Sequence, residues 1–315
     1  MTRLETWPDL PYESWKDSCA TLHLWTQVVG KLRLVTTPWV NHSWQVALYL
    51  TARGLTTSPM PYGNRLFQVD FDFVDHQLQL MTAGGEQRII KLEAMPVADF
   101  YHAVIEGLSG LGVELSIDTL PNEIPDGIPF ERDREHASYD PEAVNRFWQV
   151  LLQVDRVFKD FRTGFLGKVS PVHFFWGSFD LAVTRFSGRK APPHPGGVPR
   201  LSDAVTREAY SHEVSSAGFW PGGGGLDHPA FYSYAYPVPE GFGAQPIEPE
   251  GAVFSQDLGE FLLPYDVVRE AADPDATLLR FLESSYAAAA VTAKWDRSSL
   301  ERPRGLVGQP PEVAA

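Results

Sequence analysis

The side chains with chemistry to offer concentrate between His173 and Tyr236. Asp180, His212 and Glu213 supply two carboxyls and an imidazole, the groups that general acid–base catalysis uses. Arg185 and Arg189 can hold an anionic group, because a guanidinium matches carboxylate and phosphate in a two-pronged geometry. Trp176, Trp220, Tyr232, Tyr234 and Tyr236 can wall a pocket, and His173 stands beside them in sequence. Apolar walls with a few oriented polar groups are the usual make-up of a small-molecule site. On this reading His212, Glu213 and Asp180 do the chemistry. His173, Trp176, Arg185, Arg189, Trp220, Tyr232, Tyr234 and Tyr236 contact the substrate. The residues call for no cofactor and no metal, and they leave open whether the protein is an enzyme.

Other chemistries fit less well. His173, His212 and Glu213 can be read as the two-histidine, one-carboxylate set of a metal-dependent hydrolase. Neighbours on a strand point to opposite faces, however, so His212 and Glu213 converge only across a bulge. Ser215 or Ser216 with His212 as base lacks the Gly-x-Ser-x-Gly elbow of serine hydrolases. Gly222–Gly225 lacks the spacing and the lysine of a phosphate-binding loop. A reading from another class is a non-enzymatic interaction or scaffold protein, paired through an open sheet edge or a proline-rich connector.

The elements that must position these groups follow from periodicity. Pro171 to Arg189 alternates as one long central strand. His173, Phe175, Gly177, Phe179, Leu181, Val183 and Arg185 lie on one face, and Phe174, Trp176, Ser178, Asp180, Ala182, Thr184 and Phe186 on the other. Neither face suits water, so residues 172–186 are expected inside the body. Asp180 then needs a partner, with His212 the first candidate.

In the first half, Pro11 opens a helix with Trp15, Cys19, Leu22, Trp25, Val29 and Leu32 on its stripe, and Pro38 closes it. Strands are expected over 44–53, 65–74, 77–82 and 87–92, then a helix from Pro96 with Gly110 and Gly112 at its end. In the second half, Asp140-Pro141-Glu142 reads as a helix start: a capping acid, proline at the first position and an acid in the first turn. Strands are expected over 208–220, 231–236 and 259–263, and Asp273-Pro274 opens the last helix. The fold class is therefore α+β, two helix-backed antiparallel sheets. The halves share an order, and Trp44 and Arg53 match Trp176 and Arg185 in spacing, so a duplicated helix–four strands–helix unit is expected. The boundaries are 1–117 for the N-terminal half, 118–139 for a proline-rich connector able to cover a pocket, 140–300 for the C-terminal half carrying the site, and 301–315 for a frayed tail.

The net charge of −14 disfavours nucleic acid and anionic membrane, since both need a basic footprint. Cys19, the single cysteine, excludes an intrachain disulfide. No apolar run reaches the roughly 20 residues of a membrane span, and no leader is evident, so a cytoplasmic protein is expected. The expected partner is a small molecule, with an anionic group held by Arg185; oligomeric state is open. The runs His173–Asp180, Ser211–Pro221 and Phe231–Pro237 resemble, over nearly the whole chain, a bacterial family known only as a domain of unknown function. That resemblance implies no activity, cofactor or catalytic residue.

Overall fold

The computed structural model describes residues 7–309. Helix α1 (Tyr12–Thr36) follows Pro11, buries the predicted stripe and ends just before Pro38. The expected strand over 44–53 is largely absent. Asn41–Val46 form a 3-10 turn with His42 and Ser43 at φ of 63° and 57°, and only Tyr49–Leu50 form a strand (β1). The turn is held from α1, where Arg33 Nε donates to the Gln45 carbonyl at 2.7 Å. A side-chain bond thus overrides local alternation.

Strands β2 (Gly54–Thr56), β3 (Met60–Tyr62), β4 (Arg65–Asp72), β5 (Gln77–Thr82) and β6 (Gln87–Lys91) complete an antiparallel sheet ordered β1-β2-β4-β5-β6, with β3 also on β4. Helix α2 (Val97–Ser109) closes this half. Helix α3 (Pro141–Thr163) begins as expected, the Asp140 side chain accepting from the Glu142 and Ala143 amides.

The stretch read as one central strand is a hairpin. β7 (His173–Phe175) and β8 (Asp180–Lys190) are joined by a turn in which Phe179 has a φ of 57°. The signal was Gly177-Ser178, a dipeptide suited to tight turns. The turn reverses the face assignment: His173 pairs with Ala182 and Phe175 with Asp180, whereas Phe174 pairs with Leu181. A short helix α4 (Asp203–Ala209) then precedes β9 (His212–Trp220), so Glu208 is helical and not extended. β10 (Ala230–Tyr236), β11 (Val253–Ser255) and β12 (Glu260–Pro264) give a second antiparallel sheet ordered β11-β12-β10-β9-β8-β7. Helices α5 (Tyr265–Arg269), α6 (Pro274–Thr292) and α7 (Arg297–Leu300) follow.

The fold is α+β with two open antiparallel sheets, each of six strands where four were expected. β7 lies at the end of its sheet, yet its edge is covered: Leu48 and Phe174 exchange backbone hydrogen bonds of 2.9 and 3.0 Å, tying the two sheets together. β8 is interior, and one apolar cluster runs through both halves. Trp44 and Trp176 both sit in turns, so the strand-for-strand match behind a duplication does not exist at these positions. Residues 301–305 pack against the end of α3: Arg302 Nε donates to the Thr163 carbonyl at 2.8 Å, and the Gly305 amide to Thr163 Oγ1 at 3.0 Å. Residues 310–315 lie outside the described chain. No described helix is long and apolar enough to cross a membrane.

Alternation in the second sheet separates two functions. Leu181, Val183, Phe219, Phe231, Phe261 and Leu263, all odd-numbered, are buried in the apolar core. Even-numbered residues of β8, β9, β10 and β12 face the other way. Trp176 Nε1 donates to the Val46 carbonyl of the 41–46 turn at 2.8 Å, and its indole lies over Gly30 of α1. A Cβ on Gly30 would collide with that ring. Gly30→Ala in a helix interior should gain up to about 1 kcal/mol from propensity, whereas overpacking costs about 1–3 kcal/mol. Net destabilisation in urea denaturation is expected; a stabilised variant would show that Trp176 is not seated there.

Candidate functional site

The even-numbered face of the second sheet floors a cleft of about 530 Å³. Asp180, Ala182, Thr184 and Phe186 come from β8, Val214, Ser216 and Trp220 from β9, Tyr232 and Tyr234 from β10, and Glu260 from β12. Three irregular segments cover it. The turn at His42–Val46 forms one wall, residues 198–210 with α4 another, and Asn122 and Glu123 of the connector a third. The connector is pinned by α1: Gln27 Nε2 donates to the Asn122 carbonyl (2.9 Å), the Asn122 amide donates to Gln27 Oε1 (2.8 Å), and Lys31 Nζ donates to the Leu120 carbonyl. The Glu123 amide donates to the Pro199 carbonyl at 2.9 Å, joining two walls.

Asp180 is the buried centre of this face, 3% exposed. Its partners are hydroxyls, not the expected histidine or arginine: Ser178 Oγ and the Tyr232 hydroxyl both donate to it. Tyr232 reaches it because the opposing residue on β9 is Gly218; a Cβ there would strike the phenol. Burial pushes the Asp180 carboxyl up to about 6, against the pull of those two hydrogen bonds. Glu123 and Glu260 are pushed up to about 7, first by loss of water and then by the Asp180 charge. Above them the Tyr210 and Tyr234 hydroxyls bond at 2.7 Å and Thr184 and Ser216 at 2.8 Å, while Trp220 stacks on Tyr232 at 4.2 Å between centroids.

The structure therefore brings together Asp180, Trp176, Trp220, Tyr232 and Tyr234 of the sequence-derived set. It disperses the others. Arg185 points to the helix face, 1% exposed, its guanidinium 3.4 Å from the Phe161 ring centre and 4.4 Å from that of Tyr286, with Glu283 at 3.3 Å. Burial lowers its pKa, and it has no route to a ligand in the cleft. Glu213 shares that face, bonded to Ser187 Oγ (2.8 Å) and Arg189 (2.7 Å), and Arg189 also donates to the Ala293 carbonyl near the end of α6 (2.6 Å). His212, at the start of β9, packs edge-on to His42 with 6.2 Å between centroids. Tyr236 bonds the Pro192 carbonyl at 3.0 Å. His173 is buried among Trp44, Tyr49 and Phe175 and is held neutral, its pKa lowered to about 3 chiefly by burial.

The metal reading fails on geometry, since His212 and Glu213 occupy opposite faces of β9. Among the described residues no set of three or more histidine, cysteine, aspartate or glutamate side chains is grouped to hold a metal.

Glu123 and Glu260 were missed because each lies outside the alternating run that drew attention. Glu260 had a legible signal, being two residues from Leu262, which pairs with Tyr232. Glu123 had none: its position is set by Gln27, which lies 95 residues from Asn122 along the chain.

Fold and site together define an α+β protein whose second sheet carries the core on one face and a carboxyl- and aromatic-lined cleft on the other. The chain belongs to a family of unknown function, DUF5996, whose model matches residues 7–302. No curated protein and no solved structure matches it.

The displaced carboxyl has a consequence for stability. The folded chain keeps the Asp180 proton up to about pH 6, where the unfolded chain has released it. That contribution is complete below about pH 4 and is lost as pH rises through about 6. Asp180→Asn removes it. The stability of the variant relative to the parent should therefore rise by up to about 3 kcal/mol between about pH 4 and about pH 8, measured by chemical denaturation. A pH-independent difference would show that Asp180 titrates like a carboxyl in water.

Proposed function

We propose that this protein binds a small organic molecule in the cleft on the even-numbered face of the second sheet. The observation that carries the reading is the convergence of Asp180, Glu123 and Glu260, all with raised pKa values, on one aromatic-walled space of about 530 Å³. Ligand sites commonly have such volumes and few polar groups among apolar walls, and shifted titrations gather at functional sites. Backbone strain points to the same place. Of eight non-glycine residues with positive φ among the described residues, His42, Ser43, Glu123 and Arg200 line the cleft. Such conformations persist where surrounding structure enforces them, often at ligand clamps. Carboxyls that titrate near neutrality can also give and take a proton at a bound molecule, so the site is equipped for acid–base chemistry. Asp180, Glu123 and Glu260 replace His212 and Glu213 as the groups in reach.

A thermal-shift screen of metabolites tests the reading. Hits should raise the melting temperature of the parent, and Trp220→Ala should remove the shift, since about 1 kcal/mol of binding energy corresponds to a shift of roughly 2 °C in a chain of this size. Hits that shift parent and variant equally would place binding elsewhere.

A further inference from the structure

The polar groups left without partners in the cleft define what it lacks. Ser43, Asn122, Thr206 and Glu260 line it, and each carries a buried side-chain oxygen, Ser43 Oγ, Asn122 Oδ1, Thr206 Oγ1 and Glu260 Oε2, that makes no hydrogen bond within the protein. Thr206 is only 3% exposed. Leaving such an atom unpaired costs about 1–3 kcal/mol, so each is a place where a ligand gains by donating. All four can accept; the Asn122 amide oxygen can do nothing else, and Glu260 Oε2 can do nothing else once its carboxyl is ionised.

The charges agree. Three carboxyls face the cleft, and the basic groups are occupied or peripheral. Arg200 is exposed at the rim. His42 donates through Nδ1 to the Ala209 carbonyl at 2.7 Å, and its Nε2 accepts from Lys168 Nζ at 2.6 Å, which leaves neither ring nitrogen for a ligand. An anion would meet Asp180, Glu123 and Glu260 with no cation inside to offset them. Trp176, Trp220 and Tyr232 add aromatic faces of the kind that attract ammonium groups.

We propose that the cleft binds a protonated amine carried on a flat apolar body. The ammonium donates toward Glu260 and its unpartnered neighbours, and the flat body lies against Trp220, whose other side stacks on Tyr232. This rests on the cleft being a small-molecule site and specifies its ligand class; it replaces the anionic ligand that Arg185 suggested.

The test uses three indole probes of one shape and different charge: tryptamine, tryptophol and indole-3-acetate. Each is titrated into the full chain by calorimetry near pH 8, where the carboxyls are largely ionised (about one unit above their midpoints). Tryptamine should bind at least about tenfold more tightly than tryptophol, with indole-3-acetate weakest. Glu260→Gln, at a half-buried strand end that leaves the core intact, should bring tryptamine down to the tryptophol level. Thr206→Val should weaken tryptamine without changing tryptophol. Binding of tryptophol or indole-3-acetate as tight as tryptamine, lost in Trp220→Ala, would overturn the amine assignment while leaving a small-molecule site. Binding of none of the three would overturn it too, and the small-molecule reading would then rest on the metabolite screen alone.

Discussion

Removing a carboxylate from water costs several kcal/mol unless hydrogen bonds or a proton compensate, and Asp180 sits 3% exposed on the face of an interior strand. Much of the surrounding structure answers that cost. The β7–β8 turn delivers Ser178 to one carboxyl oxygen, and β10 delivers Tyr232 to the other. Gly218 is the vacancy on β9 through which the Tyr232 ring passes. Neither partner carries charge, so the carboxyl keeps a proton further into the neutral range, and its charge when formed raises Glu123 and Glu260 in turn.

The second sheet does two jobs because a strand has two faces. On β8, Leu181 and Val183 join the common core, and Arg185 lies among Phe161, Phe165 and Tyr286. Asp180, Ala182 and Thr184, one residue out of step, line the cleft. A one-residue shift in register would exchange the two sets. The Leu48–Phe174 pairing, the β7–β8 turn and the seat of Trp176 over Gly30 all oppose such a slip.

Elements bounded by strong local chemistry were legible in the sequence. α3 starts at its Asp-Pro-Glu cap, α1 lies between Pro11 and Pro38, and β5 spans the predicted residues 77–82. Failures occurred where a long-range bond or a turn outweighed periodicity. The 41–46 segment alternates like a strand but is turned by Arg33 and Gln45. Pro171–Arg189 alternates on both sides of its turn, so the reversal at Gly177-Ser178 left no break in the pattern. The aromatic walls and Asp180 were legible because they share one strand period. Arg185 was misread because period 2 tells which residues share a face, not which face is wet. Glu123 was invisible because only tertiary structure carries the connector to the cleft.

The account depends on protons held in that cleft near neutral pH, and ¹³C spectroscopy of side-chain carboxyls in Asp- and Glu-labelled protein observes them directly. One aspartate resonance, absent in Asp180→Asn, should titrate with a midpoint of about 6, and two glutamate resonances, assigned by Glu123→Gln and Glu260→Gln, with midpoints of about 7. Midpoints of about 4 for all three, the range of carboxyls in water, would contradict it.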